Sequence, residues 1–81
     1  MINIDCRDKF GRFEIIAEEA FGDITATWIN YSNPSKVLKN KGGCYITLLY
    51  DNTTGEEITR EYYKNDYIRE HCFSKLLDKY L

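Results

Sequence analysis

Gly22-Asp23 stands between two runs of alternating apolar and polar residues, which places a β-hairpin over residues 12–31. Glycine at the first of two loop positions supplies the positive φ of a type II′ turn, and that turn suits the right-handed twist of the strands it joins. With this loop, Phe21 faces Ile24, Ala17 faces Trp28 and Ile16 faces Ile29. One sheet face then carries Phe13, Ile15, Ala17, Phe21, Ile24, Ala26 and Trp28, interrupted by Glu19, and reads as core. The opposite face carries Glu14, Glu18, Thr25 and Thr27 together with Ile16, Ile29 and Tyr31. That is less polar than a fully solvated face of an antiparallel sheet.

The flanking segments extend the sheet. Ile2, Ile4 and Cys6 alternate as a short first strand, and Arg7 to Gly11 reads as a polar turn. Cys44 to Tyr50 and Glu57 to Tyr63 form a second hairpin around the loop Asp51-Asn52-Thr53-Thr54-Gly55. Its register is expected to join Ile58 and Tyr62 to Ile46 and Leu48. Between the hairpins, Ser32-Asn33-Pro34-Ser35 is turn chemistry, and Ser35 to Asn40 has the length of one helical turn before Lys41-Gly42-Gly43. From Asn65 the period becomes helical, with Ile68, Cys72, Leu76, Leu77 and Tyr80 as an apolar stripe and Phe73 and Leu81 beside it. The expected fold is α+β: an antiparallel sheet of about five strands, in two or three hairpins, with one C-terminal amphipathic helix packed on one face. A length of 81 residues leaves room for a single domain spanning 1–81 and one small core.

Composition narrows the function classes. A net charge of −2 argues against a dedicated nucleic-acid binder, whose affinity comes mainly from neutralising phosphates. The charges are nevertheless segregated: residues 14–23 hold Glu14, Glu18, Glu19 and Asp23 without a cation, and residues 36–41 hold Lys36, Lys39 and Lys41 without an anion. Cys6, Cys44 and Cys72 are too few and too widely spaced for a disulfide framework, so reduced thiols and a cytoplasmic location are expected. No signal peptide and no membrane span are expected either. Richness in Lys, Asn, Ile and Tyr fits a low-GC bacterial or phage source.

No catalytic, cofactor or metal site is expected. His71 and Cys72 are adjacent on a helix and point about 100° apart, which does not converge on a zinc ion. Glu18-Glu19 and Glu56-Glu57 point to opposite faces wherever the chain is extended. Ser32, Ser35 and Ser74 lie in no nucleophile elbow, and Cys44 falls at a core position.

A binding role remains. A helix of about 16 residues is about 24 Å long and covers one face of a small sheet. The other face is then expected to expose Ile16, Ile29, Tyr31, Tyr45, Leu49 and Tyr63 inside a rim of Glu14, Glu18 and Glu61. Such a surface suits a non-catalytic protein-interaction domain, a small inhibitor or adaptor of phage or mobile-element type, docking on a basic protein or on a second copy of itself. The alternative is nucleic-acid binding through Lys36, Lys39 and Lys41, with flanking tyrosines to stack on bases. An enzyme of unstated chemistry comes third.

Overall fold

A computed structural model describes residues 4–8, 11–33 and 35–80 of the chain. Expectations that fall on Ile2, Lys9, Phe10, Pro34 and Leu81 lie outside these residues. The elements are β1 (Ile4–Asp8), β2 (Gly11–Phe21), β3 (Ile24–Tyr31), α1 (Lys36–Lys41), β4 (Tyr45–Asp51), β5 (Glu57–Tyr63) and α2 (Asp66–Tyr80). The strands form one antiparallel sheet in chain order, β1-β2-β3-β4-β5, with α2 packed against it, so the fold is α+β as expected. No helix among the described residues is long and apolar enough to cross a membrane.

The first hairpin turns where the glycine requires it. Gly22 has φ 63° and no described non-glycine residue has a positive φ, so only the first loop position is left-handed, the type II′ signature. Phe21 pairs with Ile24 and Ala17 with Trp28, as expected. Further from the turn the register shifts. Ile15 pairs with Ile29 and Phe13 with Tyr31, leaving Ile16 as the extra residue of a β-bulge.

The bulge exchanges faces for everything before it. Phe13 and Ile15 join the Ile29–Tyr31 face instead of the Trp28 face, and Glu14 moves opposite Asn30 while Glu18 stays opposite Thr27. The sheet therefore has two apolar faces. On one, Ile24, Ala26 and Leu49 pack with Leu76 and Leu77 of α2, joined by Phe21, Trp28 and Phe73. On the other, Ile29, Tyr31, Ile46 and Leu48 pack with Leu38 of α1, joined by Phe13, Ile15, Cys44, Tyr50 and Tyr62.

Helix α1 has only six residues, yet it closes the second face. Ser35 caps its start, its Oγ accepting from the Leu38 amide at 3.2 Å, and the Gly42 and Gly43 amides donate back to the Leu38 carbonyl at 3.1 and 2.9 Å. Gly43 has no alternative: at φ 142° its backbone runs so close to β5 that an added Cβ would lie 2.1 Å from the Tyr63 carbonyl oxygen.

Two details differ from the sequence reading. In the second hairpin Tyr62 pairs with Ile46 as expected and Leu48 with Arg60 in the same register, but a shift between Leu49 and Tyr50 pairs Tyr50 with Glu57. Ile58 becomes the extra residue and is 36% exposed, so it joins neither core. Helix α2 is rolled relative to the expected stripe. Arg69, Leu76 and Leu77 are buried with Phe73 packed beside them, while Ile68 and Tyr80 are 37% and 39% exposed. The roll follows from its partners: the Phe73 ring meets Phe21 and Trp28 at 5.3 and 5.0 Å between centroids, and Arg69 is hydrogen-bonded to β3.

Candidate functional site

The β2 bulge and the N-terminal half of α2 enclose a cleft of about 360 Å³, lined by Ile16, Ala17, Trp28, Asp66, Arg69, Glu70 and Phe73. Helix α2 lies over β4 and β5, and this leaves the β2 side of the same face open. The floor comes from the strands. Ile16 turns toward this side because the bulge releases it from the ladder, next to Ala17 and the neighbouring Trp28. The T-shaped contact of Trp28 with Phe73 closes one end.

The wall comes from α2, whose start is fixed by Asn65, with its Oδ1 accepting from the Ile68 amide at 2.9 Å. Asp66, Arg69, Glu70 and Phe73 follow at helical spacings of three, four and seven, so they share one side of the helix. Arg69 is only 5% exposed. Its Nη1 donates to the Ile29 carbonyl at 3.0 Å and to Asn30 Oδ1 at 2.6 Å, and its guanidinium lies 5.5 Å from the centre of the Tyr45 ring. Burial pushes this guanidinium down from its ordinary pKa, and nearby Asp66 and then Tyr45 oppose that shift. Asp66 and Glu70 stand four residues apart on the exposed lip, and neither forms an ion pair among the described residues.

The expected docking face is not assembled. Ile29, Tyr31 and Leu49 are 2%, 4% and 0% exposed and belong to the two cores. Tyr45, Leu49, Glu61 and Tyr63 lie on the α2 side of the sheet, opposite to Ile29, Tyr31 and Glu18. Burial, then neighbouring Cys72 and Glu61, raise the Tyr63 phenol to about 12. Glu14 lies on the α2 side, and Ile16 is the one residue of the expected set that lines the cleft. The physical reasons are separate. The β3–β4 register pairs Ile29 with Ile46 and Asn30 with Tyr45, which puts Tyr45, Leu49, Glu61 and Tyr63 on the other side from Ile29 and Tyr31. The β2 bulge moves Glu14 and Ile16, and Leu38 of α1 packs with Ile29 and Tyr31.

Lys36, Lys39 and Lys41 are exposed on α1, where Lys36 and Lys39, three residues apart, share one side and Lys41 lies away from it. Lys41 lies 5.6 Å from the Tyr62 ring centre, and Lys39 joins Lys64, Gly42, Gly43 and Cys44 around a second hollow of about 330 Å³. Cys6, Cys44 and Cys72 are free thiols.

Of the cleft residues, Ala17 and Trp28 were expected on the core face and Phe73 beside the helical stripe, and Asp66, Arg69 and Glu70 were expected in no binding site. One signal was present: Ile15-Ile16 breaks the alternation of β2, and consecutive apolar residues in a strand mark a position where both faces are covered or the ladder bulges. As built, the cleft offers an apolar floor, two carboxylates and a guanidinium, a set suited to holding an amphipathic, positively charged group. Comparison with protein-family models, with curated proteins and with solved structures finds no match to this chain.

Proposed function

We propose that this chain is a non-catalytic protein-interaction domain, acting stoichiometrically as an inhibitor or adaptor, and that it docks onto a basic protein surface through the β2–α2 cleft. The observation that carries the reading is an open apolar lining, formed by Ile16, Ala17 and Trp28 of the floor and Phe73 of the wall, beside the two carboxylates of Asp66 and Glu70. Aromatic side chains held in a pocket with a polar rim are the arrangement that concentrates binding energy at protein interfaces. The rim charge favours a cationic partner and adds to the encounter rate.

Ile16→Lys tests this. The change puts a cation on the floor of the cleft at a half-buried bulge position that borders open space, so its cost in stability is expected to be about 1 kcal/mol or less. A partner recovered with the purified chain as bait is lost from the variant while the thermal unfolding midpoint is nearly unchanged. Retention of that partner by Ile16→Lys, with loss on changing an exposed α1 lysine, contradicts the proposal and favours the opposite surface.

A further inference from the structure

The cleft carries more detail than an apolar depression with charges around it. Asp66 and Glu70 form an i, i+4 pair of like charge, an arrangement that by itself weakens a helix by a few tenths of a kcal/mol. Arg69 lies between them in sequence and lines the same cleft, and both of the side-chain hydrogen bonds it makes to described residues leave from Nη1. Among the described residues the one fully enclosed polar side-chain atom without a partner is Thr47 Oγ1. The remaining Arg69 nitrogens are therefore not sealed in the core, and the side of Arg69 open to solvent is the cleft. A buried guanidinium with donors to spare calls for an acceptor, and the paired carboxylates beside it call for a cation.

We propose that the cleft binds one lysine or arginine side chain of an extended partner segment, a claim that rests on the protein-docking reading above. The aliphatic stem lies along Ile16, Ala17 and the Trp28 ring, where long basic side chains bury their methylenes well. The cationic head bridges Asp66 and Glu70, with the Trp28 and Phe73 rings adding cation–π attraction. Arg69 receives a main-chain carbonyl of the same segment through the donors that Nη1 does not use. A free anion is disfavoured, because the two carboxylates outnumber the single guanidinium.

Trp28 is the single tryptophan of the chain, so its fluorescence reports on this cleft alone. The probes are the capped pentapeptides acetyl-Ala-Leu-Lys-Leu-Ala-amide and its norleucine and glutamate analogues, titrated into the intact chain. The lysine peptide shifts Trp28 emission and binds at least about 10-fold more tightly than the norleucine peptide, and the glutamate peptide binds least. In the double variant Asp66→Asn/Glu70→Gln, the lysine and norleucine peptides bind equally while circular dichroism stays unchanged. Equal binding of both peptides to the unmodified chain overturns the cation site and leaves apolar docking standing. Failure of all three peptides to shift Trp28 at millimolar concentration overturns this inference, and only a partner that survives Ile16→Lys overturns the docking reading itself.

Discussion

The two faces of the sheet are closed by opposite means. The face with the shorter helix is sealed: six-residue α1 contributes one fully buried residue, Leu38, and the sheet supplies Phe13, Tyr31, Tyr50 and Tyr62 as its own cover. The face with the longer helix is the one left open, since fifteen-residue α2 covers β4 and β5 and leaves a cleft beside β2. Helix length therefore did not decide which surface remains available. Side-chain volume did: large tyrosines and phenylalanines on the α1 face fill the span that a single turn of helix cannot. On the α2 side the β2 strand presents Ala17, too small to reach the helix, and the space above it becomes the cleft.

The largest effects are expected where the α1 face depends on one side chain. Leu38→Ala should cost about 2–4 kcal/mol in urea unfolding, because Leu38 is 0% exposed and α1 has no other buried anchor. Ile16→Ala should cost well under half as much, since Ile16 already borders open space. Equal losses at the two positions would remove the distinction between a sealed and an open face.

A smaller effect separates the faces by pH. The Tyr63 phenol, on the α2 side, is raised from 10.0 to about 12, first by burial and then by Cys72 and Glu61. Tyr50, on the α1 side, is raised too, first by burial and then by Glu57. A raised phenol means that the unfolded chain loses its proton first. The associated stability is complete below pH 10.0 and is lost as pH rises through about 12. Melting curves between these limits should fall steeply for the unmodified chain and less steeply for Tyr63→Phe, with Tyr50→Phe giving the weaker correction. The reverse order would contradict the larger shift at Tyr63.

Much of this architecture is legible in the residues. The Gly22-Asp23 turn, the β4 alternation of Ile46 and Leu48 against Thr47 and Leu49, and the helical period after Asn65 each follow from local chemistry, and each agrees with the structure. The bulges are not so local. Ile16 and Ile58 are extra residues in their ladders because neighbouring strands and twist demand it, and one inserted residue reverses every face before it. That single displacement took Phe13 and Ile15 to the α1 face and separated Glu14 from Glu18. Arg69 was hidden for a different reason. An arginine among apolar helix positions reads as solvated, and its burial depends on the Ile29 carbonyl and the Asn30 side chain some 40 residues away in sequence. The spacing of Asp66, Glu70 and Phe73 was visible, but not which side of α2 the sheet would claim.

The most direct measurement is methyl relaxation by a soluble, uncharged paramagnetic probe. If the available surface is the β2–α2 cleft, the Ile16 methyls relax strongly, while those of Ile29, Ile46 and Leu38 are protected. Relaxation of Ile29 and Leu38 as strong as that of Ile16 would contradict the account, since it would mean that the α1 side is open and that the docking surface lies there.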